Sequence, residues 1–469
     1  MATLTLTPEQ QWAEEQFGTC QFYDRRRTKR LVDTAVSVAR NPSGTFPEIF
    51  ESWFDLRAAY NLFDNPSVTR QQIIEPHCRQ TRAAATGRCL VVADLTEIDF
   101  GRFREIGGTF PTGNGTGHGF LLHSALMVRP QTKELIGLAG QTTHYRKPHR
   151  KDRSRSDRLK RRRESEVWGE VIDQVGPPPE DATWVHVMDR GADNFEVFCH
   201  AQQQNTKLIV RVAHKNRKVI CPDGEIRPLS DFLRELPVAG TREQEVPARH
   251  KRPGRTADIA IRFGKLQVPP PVHRSPYLKE LKPGPITLWC VWAYEVNPPS
   301  RDDRLEWILY AMEPVEGFAD ACDRLDDYAN RWLIEEWHKG LKSGCRVEER
   351  QLKTADRLEN MVGLMSVEAV RLLQVKSLAR TDPHRPARRV VPSLWIEMLC
   401  RVRKISNRAR LTVRAFYREL AKLGGFLGRK SDGEPGWITI WRGWEKLHLM
   451  LRGSDAFGHN VKKNNNKYR

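Results

Sequence analysis

The chain has 469 residues, of which 77 are Lys or Arg and 58 are Asp or Glu, so its formal net charge is +19. This length predicts two to four domains, and the composition excludes a disordered or fibrous protein. The nine cysteines include no CxxC pair, which argues against a disulfide framework and against a cysteine-based zinc site.

No stretch of the chain approaches about eighteen consecutive apolar residues, so we expect no transmembrane helix. The first residues also lack the basic-then-apolar pattern of a secretion signal. We therefore expect an intracellular, cytoplasmic protein with no membrane partner. The charge of +19 predicts an anionic partner, and nucleic acid is favoured over other anions.

The positive charge is concentrated in four runs, which are residues 146–163, 24–30, 249–255 and 462–469. Together they carry +21, so the rest of the chain sums to −2. Several concentrated runs on a nearly neutral body favour contact with a phosphate backbone. Any single run can also be an ordinary solvated loop.

The first seventy or so residues have the pattern of a small helical domain. Apolar residues recur at helical spacing over 30–40, and Pro47 opens a second predicted helix through Phe63. Thr69 and Gln72 then form a capping-box pattern for a third helix. Small basic helical units of this kind often bind DNA, although many are only packing modules.

After this helical domain the pattern changes to strands. Strands are predicted at 90–93, 120–128, 134–140, 184–188 and 208–211, with a helix over 164–175. This order indicates a mixed α/β sheet rather than a doubly wound parallel one. We predict an all-β insertion at about 215–300, with strand pieces at 257–263 and 286–294.

The main sheet resumes at 307–312, and the chain is then helical from about 317 to 380. A break is predicted at Thr381-Asp382-Pro383, and later helices are predicted near 412–423 and 441–451.

Two aspartates stand directly after apolar strand patterns. Asp94 follows Leu-Val-Val-Ala, and Asp189 follows Thr-Trp-Val-His-Val-Met. A rigid strand can fix such a carboxylate for metal binding, although each residue alone is more often a turn or cap. Glu97 and Asp99 lie at odd offsets from Asp94, so on a continuing strand they face the other side.

A third carboxylate lies on the predicted helix YANRWLIEEWHKGLK. At about 100° per residue, Tyr328, Arg331, Glu335 and Lys342 share an arc of roughly 60°, whereas Glu336 lies off it. This stripe is either the solvated face of an amphipathic helix or a phosphate-gripping edge around a metal ligand. Three carboxylates on two strands and a helix can hold two Mg²⁺ ions about 4 Å apart for phosphodiester chemistry.

The spacing Tyr-x2-Arg-x3-Glu-x6-Lys resembles the signature of bacterial cut-and-paste DDE transposases, most closely the Tn-five transposase of the IS-four family. The signature lies within a longer match, YANRWLIEEWHKGLKSG. Other matching pieces, among them DRRRTKRLV, VMDRGAD and LAKLGGFLGRKSDGEPGWITIWRGWEKL, follow in order from about residue 10 to 452. The resemblance therefore covers nearly the whole chain.

The resemblance implies roles for individual residues. Asp94, Asp189 and Glu335 match the catalytic carboxylates, which hold two Mg²⁺ ions per site on an RNase H-like fold, with Mn²⁺ as a substitute. The residues that match contacts with double-stranded transposon-end DNA are Tyr328, Arg331, Lys342, Arg211, Trp307, Arg26, Arg27 and Arg30. Trp307 matches an aromatic side chain that stabilises a flipped base, although it can also be a core Trp at the start of a strand.

The implied fold is α/β, with an RNase H-like mixed-sheet catalytic domain at 71–380 that contains the all-β insertion. A helical end-binding domain at 1–70 and a helical dimerisation domain at 381–469 flank it. The implied reaction frees a 3′-OH, makes and reopens a DNA hairpin, and joins the 3′-OH to target DNA. A homodimer holds the two ends in the synaptic complex, and the bacterial protein is expected with the nucleoid.

Two rival functions use the same residues. One is a catalytically silent end-binding inhibitor or relic, and the other is an RNase H-fold nuclease without strand transfer. The resemblance gives no role to the tail at 462–469 and leaves that of the 146–163 run in doubt.

Overall fold

The computed structural model describes residues 7–50, 52–101, 106–113, 117–146, 163–247, 253–300, 303–429 and 432–465. Residues 147–162 of the first basic run, 249–252 of another and the last four residues of the tail lie outside the described residues. The two described arginines of the first run form ion pairs: Arg146 with Glu97 and Glu164, and Arg163 with Glu166 and Glu196.

Five helices come first: α1 (Pro8–Phe17), α2 (Arg25–Arg40), α3 (Phe46–Ile49), α4 (Trp53–Phe63) and α5 (Arg70–Ala84). The capping box at Thr69 and Gln72 is confirmed at the start of α5. The prediction of one helix from Pro47 to Phe63 is wrong. Phe50 is extended, and the Ser52 side chain accepts a bond from the Asp55 amide, so a new helix begins there.

Twelve strands form one mixed sheet in the described part of the chain. They are β1 (Arg88–Asp99), β2 (Phe110–Thr112), β3 (Gly117–Val128), β4 (Leu135–His144), β5 (Thr183–Met188), β6 (Lys207–Arg211), β7 (Lys218–Ile220), β8 (Ile226–Pro228), β9 (Gly240–Val246), β10 (Arg255–Val268), β11 (Ile286–Glu295) and β12 (Glu306–Ala311). The order is β2-β3-β1-β5-β6-β12-β11-β10-β7-β8, with β4 on β3 and β9 on β10. The pairs β1–β5 and β5–β6 are parallel, whereas β1–β3 and β6–β12 are antiparallel, so the predicted mixed α/β sheet is confirmed.

The predicted all-β insertion at 215–300 is wrong in one respect. It contains two short helices, α8 (Leu229–Glu235) and α9 (Pro276–Leu281), and Ser275 caps the second. Its long strands β10 and β11 join the main sheet through β12, so the insertion extends that sheet. Two helices earlier in the chain, α6 (Val167–Val175) and α7 (Phe195–Gln203), pack on the same face as α8 and α9.

The two faces of the sheet bury separate cores. On β1, Leu90 and Val92 belong to one buried cluster, and Val91 and Ala93 belong to the other. This alternation is what a strand covered on both sides requires. Asp94 has the parity of Val92, so it faces the first cluster, where the helices of both chain ends pack.

The remaining helices are α10 (Phe318–Ala329), α11 (Trp332–Lys339), α12 (Ala355–Thr381), α13 (Ser393–Val402), α14 (Val413–Leu423) and α15 (Trp437–Asn465). The two helical ends of the chain meet: the Trp395 indole donates to the Arg40 carbonyl at 2.9 Å, and Arg371 donates to the Ala39 carbonyl at 2.9 Å. None of the helices in the described ranges has both the length and the apolar character needed to span a bilayer.

Candidate active site

The two predicted aspartates come together through strand register. Arg88 pairs with Thr183 and Val92 with Val187 in the parallel β1–β5 pair. The same offset, continued for two residues, places Asp94 opposite Asp189. Asp189 directly follows β5, whereas Asp94 lies within β1, which continues to Asp99. Both carboxylates therefore lie where the parallel pairing ends.

Backbone groups hold both aspartate side chains. The Asp94 Oδ1 accepts a hydrogen bond from the Leu95 amide at 2.8 Å. The Asp189 Oδ1 accepts one from the Gly191 amide at 2.7 Å, at the start of a short 3₁₀ turn. Each aspartate side chain is thus held in part by a backbone amide that is close to it in sequence.

Glu335 joins this pair through an arginine. Glu335 lies in the first turn of α11, and Arg331 lies in the turn between α10 and α11. Arg331 Nη1 donates to Asp94 Oδ2 at 2.7 Å, and Arg331 Nη2 donates to Glu335 Oε1 at 2.5 Å. The guanidinium thus bridges the strand carboxylate and the helix carboxylate.

The three carboxylates are close enough to influence one another electrostatically. Burial raises the pKa of Asp94 to about 6, and the charges of Asp189 and Glu335 raise it further, whereas Arg331 lowers it. In the described residues, no group of three or more His, Cys, Asp or Glu side chains has the arrangement of a metal site. The residues whose oxygens could serve as metal ligands are Asp94, Asp189 and Glu335, with Arg331 between two of them.

A cleft of about 370 Å³ adjoins the carboxylate site at Arg331, which lines it and bonds Asp94 and Glu335. Its lining includes four residues that were predicted to contact DNA: Arg211, Trp307, Tyr328 and Arg331. Burial raises the pKa of Tyr328, the positive charges of Arg331 and Arg211 lower it, and the Asp189 carboxylate raises it, so this hydroxyl lies close to charges of both signs. Trp307 is half-buried and packs against the core while it also lines the cleft.

Lys342 does not join this cleft. The predicted continuous helix from Tyr328 to Lys342 is wrong, because it breaks at Asn330-Arg331 and ends in a π turn over Gly340–Gly344. Lys342 Nζ pairs with Glu348 Oε1 at 3.0 Å, and the same oxygen accepts a bond from the Asp99 amide. The Lys342 side chain therefore pairs with the glutamate that also binds the last residue of β1.

The three amino-terminal arginines differ in exposure and partners. Arg26 has a side chain that is 91% exposed and pairs with Asp24 at 2.9 Å. Arg27 donates to the Phe22 carbonyl, and Arg30 pairs with Asp55 at 2.7 Å. None of the three lines the cleft beside Trp307.

Sequence reasoning missed other residues near the site. Arg242 and Trp332 also line the cleft, and only the position of Trp332 three residues before Glu335 could have signalled this. Three buried histidines lie close to the carboxylates in sequence or in strand register: His123 pairs with Leu95, His186 precedes Asp189 by three residues, and His338 follows Glu335 by three. Burial lowers the pKa of each to about 3, so they are neutral.

Two family models match the chain. The first, described as transposase DNA-binding, matches residues 9–68, which include Arg26, Arg27 and Arg30. This match indicates that the chain carries the DNA-binding segment of a transposase. The second, described as the transposase Tn5 dimerisation domain, matches residues 367–459.

Together the two matches indicate a Tn5-type transposase. They support DNA binding and homodimer formation. Asp94, Asp189 and Glu335 lie between the two matched segments.

Proposed function

We propose that this transposase cleaves transposon ends and joins them to target DNA by DDE catalysis on an RNase H-like core. The catalytic carboxylates are Asp94, Asp189 and Glu335. The observation that carries the proposal is the β1–β5 register, which brings Asp94 and Asp189 together, with Arg331 linking Asp94 to Glu335.

Asp94, Asp189 and Glu335 would be the ligands of Mg²⁺, with two ions per site and Mn²⁺ as a substitute. Their oxygens are the hard ligands that Mg²⁺ prefers. A divalent cation would balance the negative charges of Asp189 and Glu335, which add to the effect of burial in raising the pKa of Asp94. When bound, the ions would activate the attacking oxygen and stabilise the leaving oxygen.

The residues of the cleft orient the DNA strand. Arg331 and Arg211 offer guanidinium groups to phosphates, and the Tyr328 hydroxyl beside them donates to a phosphate oxygen. Trp307 offers an aromatic face to an unstacked base, which a hairpin with a sharp strand reversal requires. Lys342 acts on the strand only if its bond to Glu348 is broken.

The reaction then proceeds by successive in-line phosphoryl transfers. Water cleaves one strand and frees a 3′-OH, which attacks the opposite strand to form a hairpin. Water reopens the hairpin, and the 3′-OH attacks target DNA. One site can serve every step, because each has an oxygen nucleophile and an oxygen leaving group.

End recognition and synapsis belong to the two ends of the chain. Arg26, Arg27 and Arg30 lie on α2 within the DNA-binding match, and we assign them to end-sequence contacts. The dimerisation match supports a homodimer in which two subunits hold two ends.

Cleavage of duplex DNA that carries the terminal inverted repeats, with Mg²⁺ and purified protein, tests the proposal. We expect a nick, then a hairpin, then joining to a supercoiled target. Asp189→Asn and Glu335→Gln should abolish cleavage while end binding persists. Glu336→Gln is the matched control, because Glu336 pairs with Lys376 instead of facing the carboxylates.

The products separate the rival functions. Binding without cleavage by the unaltered protein would identify an inhibitor or relic. Cleavage without joining would identify a nuclease, and full cleavage by Asp189→Asn would contradict the site assignment.

A further inference from the structure

The Arg331 guanidinium lies between Asp94 and Glu335, where it holds oxygens that a metal ion would need. The side chains of Arg331, Asp94 and Glu335 are 18%, 16% and 29% exposed, so water screens these ion pairs only partly. Both oxygens of Asp94 already accept a bond, Oδ1 from the Leu95 amide and Oδ2 from Arg331.

A guanidinium and a divalent ion would compete for the same oxygens of Asp94 and Glu335. The positive charge of Arg331 offsets part of the repulsion among the three carboxylates, which a metal ion would otherwise do. A cation that coordinates Asp94 Oδ2 and Glu335 Oε1 must first break two charge-assisted hydrogen bonds. Arg331 therefore competes with metal in the DNA-free protein.

The cleft is the other environment that Arg331 borders. Arg331 lies in the turn between α10 and α11, and it lines the cleft together with Arg211 and Arg242. A phosphate that enters the cleft would meet Arg331 and Arg211, whose Nη2 donates to the Glu306 carbonyl, whereas Arg242 is paired with Asp326. A planar guanidinium can bind a phosphate in bidentate fashion. Bound DNA thus offers Arg331 a partner in place of the two carboxylates.

We infer that Arg331 is a latch, which closes the carboxylate site to metal until a DNA phosphate draws the guanidinium into the cleft. The inference rests on the proposed function, because it assigns the three carboxylates to metal binding. It couples metal loading to DNA binding and so prevents a metal-loaded enzyme without substrate.

Titration of Mn²⁺ into the DNA-free protein, followed by the electron paramagnetic resonance of free Mn²⁺, measures the latch directly. Arg331→Gln should bind Mn²⁺ about tenfold more tightly than the unaltered protein, which is about 1.4 kcal/mol. Without metal, Arg331→Gln should melt at a lower temperature, and Mn²⁺ should raise its melting temperature more than that of the unaltered protein. Arg331→Lys, which keeps the charge but not the fork, should lie between the two.

Arg88→Gln is the matched control. Arg88 also bridges two carboxylates, Glu313 at 2.7 Å and Asp327 at 2.5 Å, and its side chain is 29% exposed. This substitution should lower the melting temperature and leave Mn²⁺ affinity unchanged. A 30-base-pair duplex of mixed sequence should tighten Mn²⁺ binding by the unaltered protein and not by Arg331→Gln.

Asp189→Asn distinguishes failure of the latch from failure of the metal site. The Asp189 carboxylate is bonded to the Gly191 amide and lies outside the bridge that Arg331 makes between Asp94 and Glu335. If Asp189→Asn weakens Mn²⁺ binding but Arg331→Gln and Arg331→Lys do not strengthen it, the latch is wrong and the metal site stands. If Asp189→Asn has no effect in either background, the metal site is wrong and the latch falls with it.

Discussion

Replacing Asp94 by Asn is expected to stabilise the metal-free protein at neutral pH while abolishing cleavage. Burial is the main cause that raises the pKa of Asp94 from 3.8 to about 6, and this value already includes the attraction of Arg331. One pKa unit corresponds to about 1.4 kcal/mol, so an ionised Asp94 costs the folded state about 3 kcal/mol. Asn has nearly the same shape and can still accept the Leu95 amide bond, but its Nδ2 then faces the Arg331 guanidinium that donates to Asp94 Oδ2. The loss of that bond subtracts from the gain.

The sign follows from proton binding. A raised carboxyl pKa means that the folded state binds the proton more tightly than the unfolded state. Stability is therefore lost as the pH rises from about 4 through about 6 and stays low above that. The advantage of Asp94→Asn should be largest at pH 7.5, with about 3 kcal/mol as its upper bound, and should shrink as the pH falls to 4.

Urea unfolding in the presence of EDTA at pH 4, 5, 6 and 7.5 measures this difference. Asp55→Asn is the control of opposite sign, because hydrogen bonds from Ser52 and Arg30 lower the pKa of Asp55. That variant should lose stability at pH 7.5 and lose less at low pH. If Asp94→Asn is less stable than the unaltered protein at pH 7.5, or if its advantage does not depend on pH, the reasoning is refuted.

Three further predictions concern binding, folding and product distribution. Arg26→Ala should weaken DNA binding and lower the slope of log K against log salt by about one. It should leave the melting temperature unchanged, because the Arg26 side chain is 91% exposed. An unchanged slope in a salt titration would show that Arg26 does not contact the DNA. Glu368→Ala should destabilise the protein by about 3–5 kcal/mol in urea unfolding, because it leaves the buried Arg371 charge without its carboxylate. Adding Arg371→Met should restore part of the lost stability. If it restores none, the buried charge of Arg371 is not the cause of the loss. Trp307→Ala should reduce hairpin product relative to the first nick on denaturing gels, and an equal loss of both would indicate a general packing defect.

Local pattern predicted most elements where the pattern was strong. The predicted strand at 184–188 is observed at Thr183–Met188, and the break at Asp382 ends α12 as expected. The prediction of one helix over 47–63 was wrong because Ser52 caps a new helix. The spacing of apolar residues, on which the prediction depended, carries no information about capping. The two short helices of the insertion were missed because they are too brief for a periodic signal.

The carboxylates and the cleft were predicted to different degrees. Asp94 and Asp189 were identifiable because each follows an apolar strand pattern, and Glu335 because it lies in the signature. The bridge from Arg331 was not predicted, since it depends on a turn between two helices that was expected to be continuous helix. The ion pair of Lys342 with Glu348 was not predicted either, because it depends on the π turn over Gly340–Gly344 where continuous α-helix was expected.

The sequence by itself determined the mixed α/β class, the residue types of the candidate site and the likeness to a transposase. These follow from short-range periodicity and from spacings within one segment. Only the tertiary structure decided that Asp94 lies opposite Asp189, that Arg331 joins Asp94 to Glu335, and that Lys342 turns toward Glu348. The physical reason is that strand register and helix junctions are set by packing among segments far apart in the chain, which no local pattern encodes.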